Sequence, residues 1–446
     1  MTRPSQRCRS ASRWLVALAL LAGAPLAAAD WPQWRGPAGA GVSPDSELPL
    51  RWSEGDAAWA TRLGGSGVSS PVVGRGRVIV TSQLGAGARK PGRHPQLARN
   101  DPEVAENEQP LLGSRSGEGA TFLVEAFSPD TGERLWRHEL KAEGELPLVH
   151  EKHNLASPSA VIDDEAIYAW FGTGQLVALS HAGELLWRRH LGRELGPFEL
   201  DWGHASSPAV GGELLYLVCF HDRSSTLLAL DKHTGRDSWR VQRPAEVRTY
   251  STPTLIEPTS GAELVVNSTE GLHAYAPDSG DLLWHADGEH RFGVGVPSYV
   301  DGVLYANRGY RSGPYMAMLP GGRGDVSQSH VRWRVATGAP YVSSLLVYRG
   351  LIFLAGDSGI ITCADAETGE KLWQERTGAI FSASPVAGDG KVYFAAESGE
   401  TFVYAPERSP RRLATNSLDG RIVASPAIAN DRIFLRTDDR LVAVSN

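Results

Sequence analysis

Short runs of alternating apolar and polar residues recur along this chain, at 77–81, 166–170, 214–219, 264–267, 303–307, 351–355, 391–395 and 432–436. Period-two alternation in segments this short, rich in Val, Ile, Leu and aromatic residues, predicts β-strands. A Ser-x-Pro or similar triplet precedes each run. These triplets are Ser69-Ser70-Pro71, Ser157-Pro158, Ser206-Ser207-Pro208, Ser251-Thr252-Pro253, Val296-Pro297, Ser343-Ser344-Leu345, Ser384-Pro385 and Ser425-Pro426. Proline cannot donate to a sheet ladder, so it suits the first residue of a strand at a sheet edge. Eight such starts predict eight sheet units.

A second pattern interleaves with the first. In Ala126-Phe-Ser-Pro-Asp-Thr-Gly-Glu-Arg-Leu-Trp136 a small residue, a glycine and a tryptophan stand at positions 1, 7 and 11. The spacing returns with Ala229, Gly235 and Trp239, with Ala274, Gly280 and Trp284, and with Cys363, Gly369 and Trp373. Ala178, Gly183 and Trp187 repeat it with a turn one residue shorter, and Trp333 ends a divergent copy whose turn has expanded over 319–324. Val403, Ser409 and Leu413 keep the spacing without the chemistry. Each copy reads as a hairpin: Asp bonds its own turn, Gly takes a positive φ, and Trp lies on the returning strand. An indole at one fixed place per unit fills the wedge between neighbouring sheets and reaches a backbone carbonyl with its N–H.

The last copy is split. Ala443 is a position-1 alanine, but the sequence stops at Asn446, whereas Gly55 and Trp59 carry the glycine-to-tryptophan spacing near the start. The N-terminal strand is therefore expected to complete the last unit. This predicts an all-β, eight-bladed propeller over 50–446, closed by pairing of the chain's two ends, which removes exposed sheet edges. Trp59, Trp136, Trp187, Trp239, Trp284, Trp333 and Trp373 are its docking residues. Trp31 and Trp34, in an extension over 30–49, lie outside the repeat and are expected to matter less.

Composition adds the compartment. Arg3, Arg7, Arg9 and Arg13 precede an apolar run over 14–24, and Ala27, Ala28 and Ala29 supply the small residues of a cleavage site. Residues 1–29 read as a Sec-type signal peptide, and the run is shorter than the roughly 20 residues of a spanning helix. The mature chain is expected to be periplasmic or secreted, monomeric and without a membrane span. With 44 basic against 51 acidic residues, the net charge of −7 gives no attraction for nucleic acid. Only Cys219 and Cys363 remain after cleavage, and both read as small core residues rather than reactive thiols.

On these repeats the chain resembles the pyrroloquinoline-quinone (PQQ) repeat family, whose hallmark is Ala-x-Asp-x-x-Thr-Gly-x-x-x-Trp on an eight-bladed propeller. The resemblance covers about residues 48–446. It implies one of two branches: quinoprotein dehydrogenases, which use PQQ and calcium, or non-catalytic proteins that include the outer-membrane β-barrel assembly lipoprotein (BamB). The dehydrogenases' adjacent cysteine pair is absent, and no Glu/Asn/Asp set matches their calcium positions. The lipoprotein's lipidated cysteine is also absent, because Cys8 precedes the apolar run. Asp30-Trp-Pro-Gln-Trp-Arg-Gly-Pro37 resembles the mature N-termini of a third, exported group. The resemblance thus implies a non-catalytic binding or scaffold protein, with no PQQ, calcium or other metal, that engages another exported or envelope protein, or a small ligand, through its loop face or its blade edges. A PQQ-dependent alcohol or sugar dehydrogenase is the alternative.

Two connections between units stand out. Six gaps from docking position to blade start are 12–14 residues, but those after Trp136 and Trp187 are 22 and 21. These adjacent insertions are expected at one mouth of the central channel. They carry His150, Glu151, Lys152, His153 and Asn154, then Glu199, Asp201, Trp202 and His204. Tyr250, Tyr341, Phe381, Arg291 and Phe292 hold the equivalent place in other blades. Concentrated polar and aromatic residues on loops over a rigid scaffold mark a binding site. A metal site from His150, His153, His204 and Asp201 is the disfavoured reading, and Asn154 and His204 also fit as simple turn residues. No phosphate loop, nucleophile elbow or zinc-peptidase motif occurs. A further insertion over 83–119, polar and rich in Gly and Pro, reads as a surface excursion.

Overall fold

Eight antiparallel sheets form a propeller in the computed structural model, which describes Met1 and residues 30–45, 47–85, 87, 89–90, 119–222, 224–245, 247–288, 293–309 and 312–446. The expected signal peptide, most of the 83–119 insertion, and Arg291 and Phe292 lie outside the described residues. Blade 1 runs Val72–Gly74, Arg77–Leu84, Thr121–Phe127 and Arg134–Lys141 from its inner to its outer strand. Blades 2 to 7 begin at Val161–Ile162, Ala209–Gly211, Thr254–Ile256, Ser298–Val300, Leu346–Tyr348 and Val386–Gly388. Blade 8 holds Ala427–Ala429, Arg432–Arg436 and Arg440–Val444, and its outer strand is Trp59–Arg62 from the other end of the chain. Trp59 pairs with Ala443 and Arg62 with Arg440, so the ring closes as the split motif predicts. Among the described residues no helix is long and apolar enough to cross a membrane.

The docking geometry follows from residue size. Each position-1 residue stands directly across the ladder from its tryptophan: Ala126 from Trp136, Ala229 from Trp239, Cys363 from Trp373. The indole then leans on the next blade. Trp59 donates to the carbonyl of Pro129 at 3.0 Å, Trp136 to His181 at 2.9 Å and Trp187 to Lys232 at 2.9 Å. Trp239, Trp333 and Trp373 donate to Pro277, Ala366 and Glu407 in the same way. The ring lies on the next blade's turn glycine. A Cβ on Gly132, at φ +69°, would sit 2.4 Å from the Trp59 ring, so the glycine serves both the turn and the close approach. Within the turn, Asp231 Oδ1 accepts from the backbone N–H of Thr234 at 2.8 Å, as its sequence position requires.

Three readings are corrected. In blade 7 Val403 pairs with Ala414, not Leu413, because the turn is one residue longer than the spacing implied. The wedge there is filled from outside the repeat: Trp52 is buried, its ring 6.2 Å from that of Tyr393, and Asn416 holds the backbone of both Trp52 and Leu50. In blade 4 Trp284 bonds the Glu263 carboxylate at 2.8 Å instead of a neighbouring carbonyl. The expanded turn of blade 5 instead lays Gly324–Asp325 alongside it as a fifth, parallel strand.

The third correction concerns 30–49. This segment is built into the fold across the channel end opposite the insertions. Trp31 pairs with Val73 of blade 1, Pro32 accepts from Ile162 of blade 2, and Gly41 and Ser43 bond Ala387 of blade 7. Arg35, 1 % exposed, donates to Leu345 O at 2.7 Å and Ser298 Oγ at 3.3 Å, in blades 6 and 5. Trp31, also 1 % exposed, is a core residue, because the channel end supplies an apolar seat that no repeat pattern announces.

Candidate functional site

The second residue before each blade's inner strand lies at the channel, and in most blades it carries a hydroxyl. Ser70 N–H donates to Ser159 Oγ, Ser159 N–H to Ser207 Oγ, and Ser207 N–H to Thr252 Oγ1, at 2.9, 2.9 and 3.0 Å. The belt resumes from Val296 N–H to Ser344 Oγ, Ser344 to Ser384 and Ser384 to Ser425, each at 2.9 Å. Neighbouring blades are thus stitched at the axis. The belt also corrects the start of blade 2. Its belt residue is Ser159, followed by Ala160, so Ser157-Pro158 lies two residues too early and belongs to the insertion.

Above the belt is a cavity of about 260 Å³. Trp34 from the N-terminal segment contributes to it from within the channel, and the two insertions roof it with His150, Lys152, His153 and Trp202. Tyr250 and Tyr341 complete the aromatic rim. The insertions grip each other: His150 N–H donates to Trp202 O at 3.0 Å, and the two rings meet edge to face at 5.0 Å. His153 Nε2 faces the same carbonyl at 2.5 Å and so carries a proton there. Lys152 crosses the mouth to Glu397 of blade 7, at 2.9 and 3.1 Å, and Ser382 donates to the same carboxylate at 2.5 Å.

The rim opposite the insertions is held by a buried carboxylate. Asp357 accepts from Tyr341 N–H at 2.7 Å and Val342 N–H at 3.3 Å. Burial pushes its carboxyl up to about 6 against these bonds. Tyr250 lies with its hydroxyl 3.4 Å from Trp202 N, and burial raises its phenol well above the usual range.

The structure therefore brings His150, His153, Trp202, Tyr250 and Tyr341 together around one cavity and places four other candidates elsewhere. Asn154 is a buried turn residue whose amide donates to Ser66 O at 2.8 Å and accepts from Ala156 N–H at 3.0 Å. His204 is fully buried among Trp170 (4.4 Å) and Phe198 (5.1 Å). Desolvation, with His221 nearby, lowers its pKa to about 3. Phe381 packs on Phe394 and Phe402 inside blade 7. Asp201 pairs with Arg248 at 3.6 Å away from the lining. Sequence reasoning placed Lys152 in the first insertion without giving it a role, and it missed Trp34 and the hydroxyl belt. The regular serine before each blade proline was the available signal for the belt.

Cofactor fit is a matter of donors. PQQ carries three carboxylates and its calcium takes several oxygen ligands at once. Among the described lining residues there is no Asp, Glu, Asn or Gln, and the one lysine is paired with Glu397. The lining does not fit that pair. His150, His153, His204 and Asp201 do not converge either. Among the described residues the grouped ligand atoms are those of Glu165, Glu213 and His233, on turns of blades 2 and 3, and of His285, Asp287 and Asp325, on the outer strands of blade 4, all away from the cavity lining.

Comparison with known proteins agrees with this architecture. The outer membrane protein assembly factor BamB of Yersinia pestis is 22% identical over 331 residues, covering 70% of this chain and 77% of the relative. The crystal structure of BamB from Moraxella catarrhalis superposes with a TM-score of 0.59 at 15% identity, over 87% of this chain and 97% of that one. The quinohemoprotein alcohol dehydrogenase from Comamonas testosteroni gives 0.64 at 12% identity, over 93% and 80%. At such identities the two structures speak for the fold alone. The family described as "Outer membrane protein assembly factor BamB" matches residues 120–289, 268–412 and 357–446, and the chain, with its PQQ-type repeats, belongs to that family.

Proposed function

We propose that this chain is an exported, non-catalytic binding protein of the cell envelope, acting as a monomer, that engages another envelope protein through the loop face around His150–Lys152 and Trp202. The observation that carries this reading is the Lys152–Glu397 bridge, which ties two neighbouring insertions across the ring to blade 7. It turns a channel mouth into a pre-organised surface, and pre-organisation lowers the entropic cost of binding a partner. The family's printed description, an assembly factor of the outer membrane, supports a partner of that kind. The quinoprotein alternative finds no support in the lining residues.

The test is site-specific photo-crosslinking from position 151, beside the bridge, in intact cells of the source organism. A discrete adduct with another envelope protein is expected, lost when Trp202 is replaced by Asp. Adducts from positions on the N-terminal-plug face but none from position 151 would overturn the assignment of the face. A rise of several degrees in melting temperature with PQQ and calcium, with dye-linked oxidation of an alcohol or sugar, would overturn the non-catalytic reading. A ligand that selects the native state stabilises it by about 2.7 kcal/mol at a hundredfold excess over Kd, so such binding is visible.

A further inference from the structure

The cavity lining is one-sided in its hydrogen-bonding chemistry. Ser70, Ser159, Ser207, Thr252, Ser384 and Ser425 face it from blades 1 to 4, 7 and 8. Five of these hydroxyls accept a backbone N–H from a neighbouring blade. A hydroxyl that accepts one such bond keeps its own proton to donate. The fixed amides orient the oxygens, so the protons are left for whatever fills the channel. In the rest of the polar lining Lys152 and Ser382 donate to Glu397, Ser157 to Asn154 O and His153 to Trp202 O, so the belt hydroxyls are the donors turned to the channel. The side-chain types that act chiefly as acceptors are missing from the described lining.

The remaining arc is apolar. Blade 5 breaks the belt with Val296, and Val294 and Val342 extend that wall through blades 5 and 6. The hydroxyl belt thus opens onto a valine wall at blades 5 and 6, and Val68 and Val423 add apolar surface beside blades 1 and 8. At about 260 Å³ it falls just below the roughly 300–1,000 Å³ of ordinary small-molecule sites. The lining side chains carry one formal positive charge, at Lys152, which Glu397 offsets at the mouth, and no negative one. A belt of oriented hydroxyls, on a wall with no carboxylate or side-chain amide among its described lining residues, is best matched by a ligand that accepts hydrogen bonds. It favours an oxyanion, whose bonds to donors are charge-assisted.

We propose that the channel binds a small organic monoanion, a carboxylate on a short chain or single ring. Its oxygens lie on the hydroxyl arc and its apolar body against Val294, Val296 and Val342. A ligand with several carboxylates would force a second charge onto the valines, so multiply charged molecules are excluded by the same geometry. This site lies beneath the loop face proposed above for a protein partner and shares His150, Lys152 and Trp202 with it, but its hydroxyl belt and valines belong to the channel alone.

The experiment is calorimetric titration of the mature chain with benzoate and butyrate, and with benzamide as a neutral match to benzoate in shape. At least one carboxylate is expected to bind with a stoichiometry of one, and benzamide about tenfold or more weaker than benzoate. Ser70→Ala tests the arc without breaking the belt, because Ser70 enters the belt through its backbone N–H. It should weaken carboxylate binding about tenfold, equivalent to about 1.4 kcal/mol, and leave the melting temperature of the free protein unchanged. Val296→Asp should abolish binding. Equal affinity for benzamide and benzoate, carboxylate binding indifferent to Ser70→Ala and Val296→Asp, or no binding of either carboxylate would each overturn the proposal.

Discussion

Trp59 stands opposite Ala443 on the seam where the two ends of the chain meet, and its indole N–H reaches across to Pro129 of blade 1. One side chain therefore fastens blade 8 to itself and to its neighbour. Trp59→Ala is expected to destabilise the protein by about 3–5 kcal/mol, the usual cost of truncating a buried large aromatic. Deleting residues 30–63 should abolish cooperative unfolding in a thermal melt, because a whole strand leaves with the indole. A deletion variant that still melted in one sharp transition would show that the seam is dispensable.

Removing only residues 30–45 should act differently. The outer strand of blade 8 stays, so the ring remains closed and melts cooperatively at a lower temperature. Trp31→Ala should cost about 3–5 kcal/mol, as much as a docking tryptophan, since it is equally buried. Urea melts of the two proteins, compared at equal m-value, would check this.

Among the docking residues, Trp284 is 0 % exposed and capped by the extra strand Gly324–Asp325, whereas Trp187 is only partly buried. Trp284→Ala should therefore be the more damaging of the two, and chemical denaturation of both variants would rank them.

His204 should leave a mark on acid stability. Its folded pKa, about 3, lies below the unfolded value near 6.5, so between those limits the unfolded chain binds more protons. The stability it allows is complete above about pH 6.5 and is lost as pH falls toward 3. His204→Phe, an apolar ring among Trp170 and Phe198, should flatten this slope, read as melting temperature against pH. Asp357 works in the opposite sense. Its folded pKa is raised to about 6, so its contribution falls as pH rises from about 4 to 6, and Asp357→Asn should remove that fall.

Lys152→Ala should loosen the mouth more than the fold. An exposed ion pair is worth about 0–1 kcal/mol, and this one is only partly screened, with side-chain exposures of 25% and 12%. Global stability should drop by about 1 kcal/mol, while hydrogen exchange over 149–157 accelerates.

How much of this was legible beforehand depended on whether the signal was local. The repeat copies name the hairpins, because turn chemistry and the Ala-to-Trp pairing act within about eleven residues. Even ring closure was legible, since half a motif at each end, at Trp59 and Ala443, can only be completed by its counterpart. Cys363 in the alanine slot read correctly as a small core residue and is buried opposite Trp373. The site was legible only as an address. Two long connections marked the mouth, yet which side chains turn inward depends on packing between blades.

His204 and Asn154 show the limit. Both lie in the insertions and carry chemistry, but His204 found an aromatic pocket between blades 2 and 3 and Asn154 a backbone carbonyl at Ser66. Lys152 met Glu397 across the ring, 245 positions away, and no local pattern encodes such a meeting. The N-terminal segment is the same case: Arg35 is polar in sequence and buried in fact, because only the assembled channel offers it the carbonyl of Leu345 and the hydroxyl of Ser298. The blades and their seam follow from short-range turns and ladders that neighbouring residues encode. The plug, the lid and the hydroxyl-belted cavity between them come from long-range packing, because they arise where eight blades converge on one axis.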